Sequence, residues 1–159
     1  MTRARAALIL ALAFVTAMTA LAQTPPDFAG KWTVVPDPAA TGGPGSLGQS
    51  AVIKQDATTL TITRTTQMGE FTSIYKLDGS ESKNTLTIQG NAIEQVSKTK
   101  WDGGTLHVDT TMTFDATPVN VTMAMSVDPS GNLIVVSTRP DFQGGSAPVT
   151  TKTTYKKAQ

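Results

Sequence analysis

A single histidine, His107, stands two residues before Asp109, a spacing that puts both side chains on one face of an extended segment. A His–Asp pair is half of a nucleophile-activating triad. The other half needs a serine or cysteine on a strained turn beside oxyanion donors, and the chain has neither a cysteine nor a G-x-S-x-G turn. The pair therefore reads as two surface neighbours. One histidine without cysteine cannot assemble the usual zinc ligand sets. Asp78-Gly79-Ser80-Glu81 and Asp128-Pro129-Ser130-Gly131-Asn132 place oxygens on turns, where turn chemistry accounts for them without calcium. Glu70, Asp78, Glu81 and Glu94 could supply the two carboxylates of a glycoside hydrolase, yet they lie among Ser, Lys and Gly and nothing selects a pair. The glycine-rich stretch 42–48 lacks the Gly-Lys-Ser/Thr ending and the following helix of a phosphate cradle. No catalytic residue, metal or cofactor is assigned.

Binding chemistry has better candidates. In segment 58–67, period-two counting puts Arg64 on the same face as Leu60 and Ile62, where an uncompensated cation is expensive. Either the strand reaches solvent or bulges near Arg64, or Arg64 sits at the mouth of a cavity, able to hold a carboxylate. In 105–114, Leu106, Val108, Thr110, Met112 and Phe114 share one face; in 119–127, Val119, Val121, Met123, Met125 and Val127 do. Met112, Met123 and Met125 thus meet on the inner side of one hairpin, as adaptable ligand lining or as core filler.

The elements that must position these residues are strands. From Gly30 onward no stretch sustains helical periodicity, and Thr/Val/Ile-rich runs recur between Gly, Pro, Asn and Asp clusters. Strands are predicted at 31–35, 50–55, 58–67, 70–77, 85–89, 92–101, 105–114, 119–127, 133–139 and 149–156. In 92–101, Ile93 and Trp101 share parity while Val96 opposes them, so a bulge is expected there. Short turns such as Gly90-Asn91 and Asp102-Gly103-Gly104 make most connections hairpins, which yields an up-and-down meander. Two longer connections, 36–49 and 140–148, are rich in Pro and Gly and are expected to be loops.

Ahead of this domain, Arg3 and Arg5, the apolar run 6–15 and Ala20-Leu21-Ala22 read as a secretory signal, in preference to an anchored transmembrane helix because the apolar core is short. The expectation is a leader at 1–22 and one domain at 23–159, periplasmic or secreted, without stable membrane insertion after cleavage. Removing Arg3 and Arg5 leaves 11 basic against 12 acidic residues. That balance gives no electrostatic reason to expect nucleic acid as a partner.

The first predicted strand opens with Asp27-Phe28-Ala29-Gly30-Lys31-Trp32, and its G-x-W resembles the opening signature of lipocalin-like (calycin) barrels. Segments 75–84 and 101–106 and the end Tyr155-Lys156-Lys157 are similar to small secreted bacterial proteins of that group. The resemblance implies an all-β antiparallel barrel, closed at one end by Trp32 and open at the other, with an apolar interior. It also implies an Arg over the tryptophan, for which Arg139 is the candidate. Two departures stand out: the barrel has no helix after it, and 36–49 cannot form the helical lid of the fatty-acid-binding relatives.

Three functions follow. The first is an exported binder of a small apolar or amphipathic molecule, with Arg64, Met112, Phe114, Met123 and Met125 as its site. The second is a structural or interaction module with a packed interior, whose protein partner the residues do not name. An unrecognised hydrolase is the third.

Overall fold

The computed structural model describes residues 24–37, 47–88, 90–141, 145 and 147–158, and in them the chain forms ten strands. These are β1 (Gly30–Val34), β2 (Ser50–Gln55), β3 (Thr59–Thr66), β4 (Gly69–Lys76), β5 (Ser82–Ile88), β6 (Asn91–Asp102), β7 (Thr105–Phe114), β8 (Thr117–Val127), β9 (Leu133–Arg139) and β10 (Val149–Lys157). The leader expected at 1–22 lies outside the described residues, as do 38–46 and 142–144 of the two long connections.

All pairings are antiparallel, in the order β4-β3-β2-β1-β10-β9-β8-β7-β6-β5. Pairing of β1 with β10 joins the two arms of the meander, and β4 comes round to lie against β5 and β6. The result is a nearly closed ten-stranded up-and-down barrel. Side chains alternate between wall and interior as strand geometry requires. On β3, Leu60, Ile62 and Arg64 face inward with no bulge, since the register runs unbroken from Leu60↔Tyr75 to Arg64↔Phe71.

The bulge expected in 92–101 is absent. β6 keeps continuous register with both neighbours, and its inward positions are Ile93, Gln95, Ser97, Thr99 and Trp101. Polar residues occupy the buried side, so hydrophobic counting missed the face and Val96 simply points out. β5 also starts at Ser82, three residues earlier than its apolar content indicated.

Because consecutive hairpins turn at alternating ends, the turns at 56–58, 78–80, 103–104 and 128–132 all lie at one end. Three of them are built on an aspartate. Asp56 Oδ1 accepts the main-chain N–H of Thr58 and of Thr59, each at 2.8 Å, and both threonine hydroxyls donate to its carboxylate. Asp78 accepts from Ser80 through N and Oγ, and Asp128 from the main chain of Ser130 and Asn132 and the Asn132 amide. At the opposite end the β7–β8 turn puts Asp115 and Ala116 at φ +45 and +65, the two positive angles of a tight hairpin turn, with alanine in a region that favours glycine.

These bonds hold all three carboxyls below the usual carboxylate range: foremost the Thr58 main-chain N–H for Asp56, the Ser80 hydroxyl for Asp78 and the Asn132 side-chain amide for Asp128. A carboxyl depressed in the folded state contributes stability above its unfolded pKa of about 4 and loses it as pH falls toward the folded value. Urea melts should therefore show stability falling steadily below about pH 4, and Asp56→Asn, which keeps an acceptor but does not titrate, should flatten that fall.

Candidate functional site

The interior divides into two halves. The half beneath the aspartate turns is a packed apolar floor. Phe28, from the segment ahead of β1, stacks on Trp101 with ring centroids 5.8 Å apart and planes 9° apart. Trp32 is buried against it and donates its indole N–H to Phe28 O at 2.8 Å. Leu60, Leu106, Met125 and Leu133 fill the space around them. Lys157 Nζ stands 5.5 Å from the Trp32 ring centre, so the cation over the first-strand tryptophan is Lys157. Arg139 does not occupy that place: it pairs with Val149 at the far end of β9 from Leu133, the residue that belongs to the floor.

Toward the other end, the inward faces of β3, β7, β8 and β9 become half-exposed, whereas Phe71 on β4 and Ile93 on β6 stay buried. On β7 Leu106 and Val108 are buried, while Thr110, Met112 and Phe114 on the same face are half-buried. On β8 Met125 and Met123 are buried, and Val121 and Val119 are half-buried. β9 passes from buried Leu133, Val135 and Ser137 to half-buried Arg139, and β3 from Leu60 and Ile62 to half-buried Arg64. β8 pairs with β9 only from Thr122 onward, so the end of the β7–β8 hairpin projects past β9 as one side of a rim.

Between floor and rim runs a belt of polar side chains. Ser97 and Thr110 share a 2.8 Å hydrogen bond, Ser137 and Thr151 one of 3.0 Å, and Ser73 Oγ donates to Gln95 Oε1 at 3.4 Å. Beside the belt is the barrel's seam. No ladder joins β4 to β5, and side chains bridge them instead: Ile74 N donates to Asn84 Oδ1 at 2.8 Å and Asn84 Nδ2 donates to Ile74 O at 2.9 Å. Next along, Lys76 N donates to Ser82 Oγ at 2.7 Å and Thr99 Oγ1 to Lys76 O at 2.5 Å.

The residues singled out from the sequence are therefore brought to one interior but to different depths. Arg64 lies on the inward face near the rim, its guanidinium carbon 5.9 Å from the Phe71 ring centre. Met112 and Phe114 line the projecting hairpin, whereas Met123 and Met125 belong to the core cluster below. His107 faces outward, paired with Lys100 and Ala124, and among the described residues no hydrogen bond ties it to Asp109. Glu81 forms an exposed 3.4 Å pair with Lys98. Among the described residues no three His, Asp or Glu side chains gather closely enough to hold a metal ion. The belt residues Ser73, Gln95, Ser97 and Ser137 were not singled out, because alternation read by hydrophobicity discards polar residues on a buried face.

The chain matches no known family model and no curated protein. The site must be read from its own geometry.

Tyr155 links the floor to the chain entering β2. It is buried, and its hydroxyl donates to Gly48 O at 3.1 Å. Gly48 lies at φ +70 with Thr65 O where a Cβ would stand, so only glycine delivers that carbonyl. Burial pushes the Tyr155 phenol up to about 12, which keeps it a neutral donor at ordinary pH. Tyr155→Phe leaves a buried carbonyl without its partner and should cost about 1–3 kcal/mol in urea melts, with β-sheet circular dichroism unchanged.

Proposed function

We propose that this protein binds a small amphipathic molecule in the open half of its barrel, and that it does so after export, in the periplasm or outside the cell. One observation carries the reading. Inward-facing side chains on β3, β7, β8 and β9 are buried near the floor and half-exposed toward the rim. A barrel packed throughout would bury an inward face along its whole length. A cup with apolar walls and a few convergent polar groups is the usual form of a small-molecule site. In this reading Arg64 holds an acidic group at the rim, Met112 and Phe114 enclose an apolar body, and Met123 and Met125 form the base on which it rests. The architecture is compatible with the lipocalin-like group that G-x-W at Gly30 to Trp32 resembles, whose barrels enclose small ligands.

The alternative, an interaction module, draws on a groove of about 450 Å³ on the outer face of the wall, whose lining includes Lys98, Asp109, Asn120 and Thr122. The two readings separate in one titration with 11-(dansylamino)undecanoic acid. Arg64→Met should weaken this acidic probe about tenfold or more, using roughly 1.5–3 kcal/mol for a charge-assisted bond. The methyl ester of the probe should be little affected, and Asn120→Ala on the outer groove should leave affinity unchanged. Equal affinity in wild type and Arg64→Met would overturn the role given to Arg64, and absence of binding would favour the module.

A further inference from the structure

We infer that Gln95 is a buried anchor for a neutral oxygen, a carbonyl or hydroxyl, on the body of the ligand. The inference rests on the cup reading above and adds the chemistry of its wall at the level of Met112. Gln95 is 4% exposed and points inward from β6 between Ile93 and Ser97. Among the described residues its side chain has one hydrogen bond, the long one accepted from Ser73 Oγ by Oε1. Among those residues its two Nε2 protons meet no acceptor. A buried amide left half-satisfied is costly and uncommon.

The neighbours explain why the protein does not satisfy it. On β5 the directly paired residue is Asn84, whose amide is committed on both atoms to the main chain of Ile74 across the seam. On β7 the paired residue is Met112, which brings no strong acceptor. Ser97 and Thr110, next toward the floor, are bonded to each other. Met112 beside it on β7 is half-buried, while Ile93 on its own strand stays buried, so the amide is open to the interior only on its β7 side.

The ligand group is neutral because the strands flanking Gln95 bring no inward charge to balance one. The inward positions of β4, β5, β6, β7 and β8 carry only uncharged residues, and the inward arginines are on β3 and β9. A carboxylate at Gln95 would be desolvated without a counter-charge. The molecule that fits both groups has its acid at the rim and a neutral oxygen function further along its chain.

The test compares decanoate with its 5-, 7- and 9-oxo derivatives on wild type and Gln95→Met, a variant of similar shape without the amide. At least one oxo acid should bind wild type about tenfold more tightly than decanoate, a ratio set by one gained hydrogen bond. Its titration should shift the Gln95 side-chain amide resonances. Gln95→Met should bind that oxo acid and decanoate alike, and should melt at a higher temperature than wild type because it buries no half-satisfied amide. Binding of decanoate with no preference for any oxo acid overturns the anchor and leaves the cup intact. A melting temperature lowered in Gln95→Met, with the oxo preference kept, shows that the amide is structural and overturns it as well. If none of the four acids binds, the cup reading falls and the anchor with it.

Discussion

A barrel made from one sheet must do something with the sheet's two edges, because main-chain donors and acceptors that face no partner are costly when buried and invite foreign strands when exposed. Here the edges are β4 and β5, and they meet without a ladder. Asn84 solves the problem locally. Its side-chain amide offers one acceptor and one donor in the spacing of a peptide group, and so takes the place of a strand residue opposite Ile74. Ser82 and Thr99 do the same for the two polar groups of Lys76. Closure of the wall depends on these three side chains.

The seam shapes the interior. With Ser82, Asn84 and Thr99 turned to the wall, this side of the barrel is polar at mid-depth, and Gln95 reaches behind β5 to Ser73 on β4. The hydroxyl pairs Ser97–Thr110 and Ser137–Thr151 extend the polar belt to other strands. Below it, the stacked Phe28 and Trp101, the bonded Trp32 and the buried Tyr155 supply the apolar packing that stabilises the fold. Toward the other end β3, β7, β8 and β9 carry half-exposed residues of mixed chemistry, while Leu47, Phe71 and Ile93 continue the buried packing on the opposite side.

This division was partly legible in the sequence. β3, β7 and β8 announce their inward faces by alternation of Leu, Ile, Val and Met against Thr, Asn and Asp, and the same alternation puts Arg64 on the face of Leu60 and Ile62. β6 was opaque because Gln95, Ser97 and Thr99 are buried polar residues, and burial of a polar group depends on partners in other strands that no local pattern reveals. Ser82 and Asn84 look like turn residues for the same reason. Their role exists only when β4 lies alongside. The cation over Trp32 was assigned by resemblance to Arg139, whereas the register of β10 against β1 brings Lys157 there.

Within the single strand β7 one inward face passes from buried Leu106 and Val108 to half-exposed Thr110, Met112 and Phe114. β7 offers the most direct measurement, because the chain has no cysteine and single ones can be introduced without background. Val108→Cys, Thr110→Cys and Met112→Cys can each be exposed, folded, to a small cationic methanethiosulfonate reagent and followed by mass spectrometry. The account predicts that the thiols at 110 and 112 are modified in the native protein while the thiol at 108 reacts only once the barrel unfolds. Equal protection at all three positions would contradict it and mean that the barrel is packed from end to end.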